Sequence, residues 1–277
     1  MKIYITGLPS GYEVEHLVRL FYPMAPLTLT APEDGEDCVW AEKKPDGLWA
    51  MVRERGNSKT ARALLPDIET PEFALASLTY DLLRAWTGIR PPWGKMTGVR
   101  PVRLIHDKRA AGWSEEDIDQ FFLGRFDCSR QKYQMAKAIA DLQEPILKAG
   151  SVPKTYSLYI GIPFCPSRCS YCSFVSCNLD RDRKMVQPYV DCLCREVEEI
   201  KAQADKAGLT LCSIYIGGGT PTSLSADQLR QLMGTVRENF DLSQVMEYTV
   251  EAGRPDCTDA EKLAVIKEYG ATRISIN

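Results

Sequence analysis

The chain has 277 residues, of which 44% are hydrophobic and 26% charged, with 19 glycines and 17 prolines. That composition excludes disordered, collagenous and fibrous proteins, and the length points to about two domains. A formal net charge of −3, from 34 basic and 37 acidic residues, leaves no basic footprint, so neither nucleic acid nor an anionic membrane surface is an expected partner.

The first 150 residues read as a mixed α/β unit. Lys2–Thr6 alternates and is rich in β-formers, as are residues 37–41 and 48–53, which carry Val39, Trp40, Trp49 and Val52. Helical patterns cover residues 13–22 and 70–87. The second opens with Thr70 as N-cap and Pro71 at its first position, and Gly88 ends it. Residues 90–95 have turn chemistry, and Gly94-Lys95-Met96-Thr97-Gly98 is a loop whose glycine spacing does not make a P-loop. Ser114 caps a helix with an acidic first turn (Glu115, Glu116, Asp117), which suits the helix dipole. A last helical run spans residues 132–147, and neither His16 nor His106 is given a role.

Residues 148–153 read as a linker, which divides the chain into an accessory α/β domain (1–150) and a second domain (151–277). Beyond it, residues 156–162 predict a strand, and Tyr189, Leu193, Val197 and Ile200 mark one face of a helix. Residues 211–216 predict a second, buried strand, ending in Gly217-Gly218-Gly219-Thr220-Pro221. Ser225 with Gln228, and Thr258 with Glu261, have capping-box spacing and fix two further helix starts. Glu247–Glu251 is a third strand and 272–276 a fourth. Strands alternating with helices at this spacing argue for parallel βαβ units. The chain stops immediately after the fourth strand, without the crossover that would cover it. The expectation is therefore a C-terminally truncated chain, poorly soluble or inactive as it stands.

Residues 1–7 lack a signal-peptide core, and the longest uncharged stretch, 209–226, is broken by its glycines and Pro221. No membrane span is expected, and the protein is read as cytoplasmic. In that compartment thiols stay reduced, so clustering among the ten cysteines points to metal before disulfide. The cluster is Cys165-x3-Cys169-x2-Cys172, just past the end of a predicted parallel strand, where ligands bind in barrels and open sheets. Three thiolates on one short loop can hold three irons of a cubane and leave the fourth open, and thiolate is the ligand that iron–sulfur clusters require. A structural zinc using Cys177 as fourth ligand is the competing reading, although zinc sites favour paired cysteine units with a long spacer. Chance clustering of inert thiols is another. Cys38, Cys128, Cys177, Cys192, Cys194, Cys212 and Cys257 read as small buried hydrophobes.

Tyr159-Ile-Gly-Ile-Pro-Phe-Cys165-x3-Cys169-x-Tyr-Cys172-Ser-Phe174, followed by Gly217-Gly-Gly-Thr-Pro-Thr222, closely resembles the radical S-adenosylmethionine (SAM) superfamily and, within it, the oxygen-independent coproporphyrinogen III oxidase group. The N-terminal 150 residues and the Lys95-Met-Thr-Gly-Val-Arg-Pro101 segment are most similar to the HemZ-type coproporphyrinogen dehydrogenase branch. The resemblance implies the first four βα units of a partial (β/α)6 barrel. It also implies a [4Fe–4S] cluster whose open iron is chelated by SAM, and a 5′-deoxyadenosyl radical that removes a hydrogen from a propionate side chain, which is then decarboxylated to a vinyl group. The implied partners are a tetrapyrrole substrate and an unidentified electron donor. Carried over by motif, Cys165, Cys169 and Cys172 are the cluster ligands, and Tyr159 contacts SAM. Gly218, Gly219 and Thr220 meet its amino group, Glu251 its ribose hydroxyls, and Tyr171 sits beside the cluster.

One departure bears on the reaction. The oxidases of the group carry a fourth cysteine two residues after the third, where this chain has Phe174, the pattern of relatives that include haem chaperones. A haem-binding chaperone on the same scaffold, or another radical SAM reaction, is therefore the alternative. Arg168, Arg181, Arg183 and Lys184 are available to meet substrate carboxylates, or are a solvated basic loop.

Overall fold

The computed structural model describes residues 1–67 and 69–276, and the chain falls into two compact units, Met1–Asp141 and Leu142–Asn277. The division lies within a helix that runs without a break to Gly150, through the first three residues of the 148–153 stretch that the sequence suggests as a linker.

The first unit is built on a five-stranded sheet of order β2-β1-β3-β4-β5: β1 (Lys2–Thr6), β2 (Leu27–Thr28), β3 (Cys38–Lys44), β4 (Gly47–Glu54) and β5 (Asn57–Ala63). β1 pairs in parallel with β2 and β3, and β3, β4 and β5 form antiparallel hairpins. α1 (Tyr12–Arg19) and α2 (Pro71–Thr87) bury Val14, Leu17, Leu75 and Leu83 in one core with Ile3, Val39, Ala50 and Val52. Thr70 caps α2 as expected, its hydroxyl accepting from the Phe73 amide at 3.3 Å, and Gly88 ends it in the left-handed region. α3 (Pro101–Ala110), α4 (Glu115–Asp119), a π-helical segment (Gln120–Arg125) and α5 (Arg130–Gly150) follow, with Ile105, Ile118, Phe122, Tyr133 and Ala136 in a second core.

β5 escapes periodicity because its residues are polar and mostly exposed. It is set instead by a two-residue hairpin in which Arg55 (φ 50°) and Gly56 (φ 76°) are both left-handed, the geometry that matches strand twist. α1 is shorter than the 13–22 pattern suggests, although the Phe21 and Tyr22 amides still bond to the Val18 carbonyl at 3.0 Å each.

The second unit is a four-stranded, all-parallel sheet whose spatial order follows the sequence. β6 (Thr155–Ile162) pairs with β9 (Thr210–Gly218), β9 with β10 (Glu247–Glu251), and β10 with β11 (Arg273–Ser275). A two-residue pair, β7 (Phe164–Cys165) and β8 (Cys177–Asn178), closes the cysteine loop, and α6 (Leu179–Asp182) follows it. α7 (Val186–Ala207), α8 (Ala226–Asn239) and α9 (Ala260–Glu268) all pack on one face of the sheet. Their Val190, Val197, Leu229, Met233 and Ile266 share a core with Ile160, Ile214, Ile216 and Val250. With a period of two, the alternate residues Ser157, Tyr159, Ser213 and Tyr215 project from the opposite face. The mixed α/β fold expected from the sequence is thus present, and its second part has the strand order and one-sided helix layer of a partial β/α barrel.

Ser225 and Gln228 form the expected capping box. The Thr258 box does not form: Asp259 is the N-cap and accepts from the Lys262 amide, while the Thr258 hydroxyl donates to Thr222 Oγ1 at 2.9 Å. Among the cysteines outside the motif, Cys38, Cys128, Cys194 and Cys212 are buried as expected, Cys177 and Cys257 half-buried, and Cys192 exposed, which corrects that reading for Cys192. No helix among the described residues is long and apolar enough to cross a membrane.

Because Ile216 is fully buried between sheet and helices, Ile216→Ala should cost about 3 kcal/mol in urea unfolding. Ser157→Ala on the open face should stay within about 0.5 kcal/mol.

Candidate functional site

The sequence-predicted residues converge on the carboxyl ends of β6, β9 and β10. At the end of β9 the chain must pass close under the turn that leaves β6. Gly218 takes φ 110°, and the Gly219 amide donates to the Ile162 carbonyl at 2.7 Å. A Cβ on Gly219 would lie 2.9 Å from the Phe164 carbonyl oxygen and 3.0 Å from Cys165 Sγ. Only glycine allows that approach, so the strand end and the cysteine loop share one floor.

One pocket, of about 200 Å³, is lined by Cys165, Cys169 and Cys172 together with Gly218, Gly219 and Thr220; Tyr171 and Glu251 also reach it. Cys165 ends β7 and its sulfur lies 3.4 Å from the buried Thr220 hydroxyl. The Cys172 amide donates to the Cys169 carbonyl at 3.1 Å, folding the loop so that both thiols face the pocket. Tyr171 is 87% exposed at its rim. Among the described residues, no three His, Cys, Asp or Glu side chains are drawn together as a single-ion site. The chain's two histidines, His16 and His106, lie in the first unit. An all-thiol donor set over a glycine floor fits an iron–sulfur cluster. Cys177 pairs with Phe164 across β7–β8, packs against the hydrophobic core and does not line the pocket, so the zinc alternative lacks its fourth ligand.

Tyr159 lines an adjoining, more apolar pocket of about 410 Å³, with Ile162, Tyr189 and Tyr215. Phe174, Gly218, Gly219 and Glu251 border both pockets. Phe174 is 67% exposed, standing between the thiols and the aromatic wall. Tyr159 and Tyr215 are directly paired across β6 and β9, and their rings stack at 5.9 Å and 12°. The Tyr215 hydroxyl donates to Glu251 Oε1 at 2.6 Å, fixing that carboxylate at the mouth. Burial, followed by the Glu251 carboxylate, pushes the Tyr215 phenol up to about 12.

Tyr215 was missed from the sequence, although its alternation with Ser213 and Gly217 puts it on the face of Tyr159. Arg254 was missed as well: its guanidinium reaches the cysteine loop from beyond β10, and no sequence pattern marks it. Arg168 lines the thiol pocket and donates to the Cys172 carbonyl at 3.4 Å, while Arg181 pairs with its neighbour Asp182.

The sequence profile described as the Radical SAM superfamily matches residues 159–277. These residues belong to the radical SAM superfamily. Its members use a [4Fe–4S] cluster and SAM. The chain is 37% identical over 204 residues to the oxygen-independent coproporphyrinogen-III oxidase-like protein HemZ of Bacillus subtilis, covering 71% of this chain and 40% of HemZ. It is 42% identical over 120 residues to the heme chaperone HemW of the same organism, covering 43% of this chain and 30% of HemW. A solved structure of the Escherichia coli coproporphyrinogen III oxidase HemN, described as a radical SAM enzyme, aligns over 48% of this chain and 30% of its own at 28% identity, with a TM-score of 0.39. The chain thus spans less than half the length of the relatives it matches.

Gly219→Ala should leave far-UV circular dichroism intact while lowering iron retention roughly ten- to a hundred-fold, the range for displaced ligand supports. Tyr215 also makes a pH prediction. Its folded pKa lies above the unfolded value of about 10, so its contribution is complete below pH 10 and is lost as pH rises towards 12. The stability gap between wild type and Tyr215→Phe, measured by urea unfolding, should be wider at pH 9 than at pH 11.

Proposed function

We propose that this chain provides the cluster- and SAM-binding part of an oxygen-independent enzyme that decarboxylates the propionates of coproporphyrinogen III to vinyl groups. The observation that carries the reading is the meeting of Cys165, Cys169 and Cys172 with the Gly218–Gly219 strand end in one pocket that opens onto an aromatic one. In this assignment the three cysteines hold the cluster. Gly218, Gly219 and Thr220 present backbone to the SAM amino group, which no side chain obstructs. Glu251, held by Tyr215, accepts from the ribose hydroxyls, and Tyr159 forms the wall beside them. Tyr171 flanks the thiol loop. When bound, cluster and SAM together supply a carbon-centred radical able to remove an unactivated hydrogen, while the protein orients substrate and excludes side reactions. The electron comes from a separate donor.

The match to HemZ extends over 204 residues, well beyond the 120 shared with HemW, and this favours the oxidase-like reading. A second reading, a haem-binding chaperone, is supported by Phe174, which lies between the two pockets in place of a fourth cysteine. The two separate in one assay. The assay is anaerobic, with SAM, a strong reductant to cleave it and a one-electron acceptor to take the electron released with each carbon dioxide. The full-length gene product should release 5′-deoxyadenosine and convert first one and then two propionates of coproporphyrinogen III to vinyl groups. Unchanged tetrapyrrole, together with a Soret shift at stoichiometric haem, would favour the chaperone.

A further inference from the structure

Arg254 follows the end of β10 by three residues, and its guanidinium turns back to the cysteine loop. Nη1 donates to the Ser167 carbonyl at 3.2 Å and lies 3.3 Å from Cys169 Sγ. Nη2 donates to Ser167 Oγ at 3.0 Å, and Nε and Nη2 engage the two Asp256 oxygens at 3.0 and 2.5 Å. That is one contact for each of the five N–H donors a guanidinium carries. The side chain is only 21% exposed. A group so completely engaged is fixed, and a lysine, with three donors on a flexible stem, cannot reproduce the fork.

Two consequences follow from the geometry. The loop between β7 and β8 has few backbone bonds of its own, so the double contact to Ser167 ties it to the β10 end. A permanent positive charge also sits beside one of the three thiols. Hydrogen bonds and charge at a ligand sulfur favour the reduced, more negative state of an iron–sulfur cluster. Cys165, by contrast, meets the uncharged Thr220 hydroxyl.

We propose that Arg254 is a positioning residue with two separable roles: its fork anchors the thiol loop through Ser167, and its charge beside Cys169 raises the reduction potential of the group the thiols hold. The second role rests on the cluster reading given above; the first does not.

The test uses wild type, Arg254→Lys and Arg254→Gln of the full-length protein. In the metal-free state, trypsin cleavage after Arg168 reports on the loop; Arg254 itself precedes Pro255, so its replacement removes no cleavage site. Both variants should be cut several-fold faster than wild type, because neither restores the fork. In the reconstituted state, an EPR-monitored redox titration should place the Arg254→Gln cluster at lower potential than wild type, with Arg254→Lys close to wild type because it keeps the charge. Unchanged cleavage in both variants overturns the anchor, and an unchanged potential in Arg254→Gln overturns the charge role. If Arg254→Gln takes up no cluster, Arg254→Lys decides: a potential as low as that of a neutral replacement such as Arg254→Met contradicts the role. A wild-type protein that takes up no cluster overturns both the proposed function and the charge role, and proteolysis still decides the anchor.

Discussion

The 2.7 Å hydrogen bond from the Gly219 amide to the Ile162 carbonyl is the contact on which the site depends. It draws the end of β9 under the segment that leaves β6, and that approach leaves no room for a side chain at position 219. The first thiol, Cys165, therefore lies against backbone. The same passage places Gly218 and Gly219 in the wall between the thiol pocket and the aromatic pocket. A bulky residue here would alter both at once.

Polarity is divided between the two faces of the second sheet. On one face Ile160, Ile214, Ile216 and Val250 are sealed by three helices. Burying aliphatic side chains of this size contributes about 1.5–3 kcal/mol each, so this face fixes strand order and register. On the other, Tyr159, Tyr215 and Glu251 form a short relay of stacking and hydrogen bonding that ends at the strand termini. Register links the two: because Tyr159 is paired with Tyr215, a slip of one residue in β9 would turn Tyr215 into the helical core and aliphatic residues into the site.

Much of this was legible in the sequence, and the exceptions have physical reasons. The four parallel strands, the Thr70 and Ser225 caps and the thiol loop follow from apolar alternation, capping chemistry and spacing, all of which are local. The β5 hairpin was not legible because its partner β4, and not its own polar residues, makes it a strand. Thr258 has the spacing of a capping residue but is engaged by Thr222, a contact between segments that no local pattern reports. Arg254 belongs to the same class: its partners lie 85 and 87 positions away in the chain. Cys177 is the converse, a residue near the motif in sequence whose strand pairing leaves it half-buried against the core and away from the thiol pocket.

The central claim is that three thiols, a glycine floor and a carboxylate at the strand ends form one site for a cluster and SAM. Anaerobic reconstitution with iron and sulfide, followed by EPR of the reduced protein with and without SAM, tests it most directly. The account predicts a cluster signal that shifts when SAM is added and is absent when Cys165, Cys169 or Cys172 is replaced by alanine. Bound zinc without a cluster, or a cluster that survives loss of these cysteines, would contradict it.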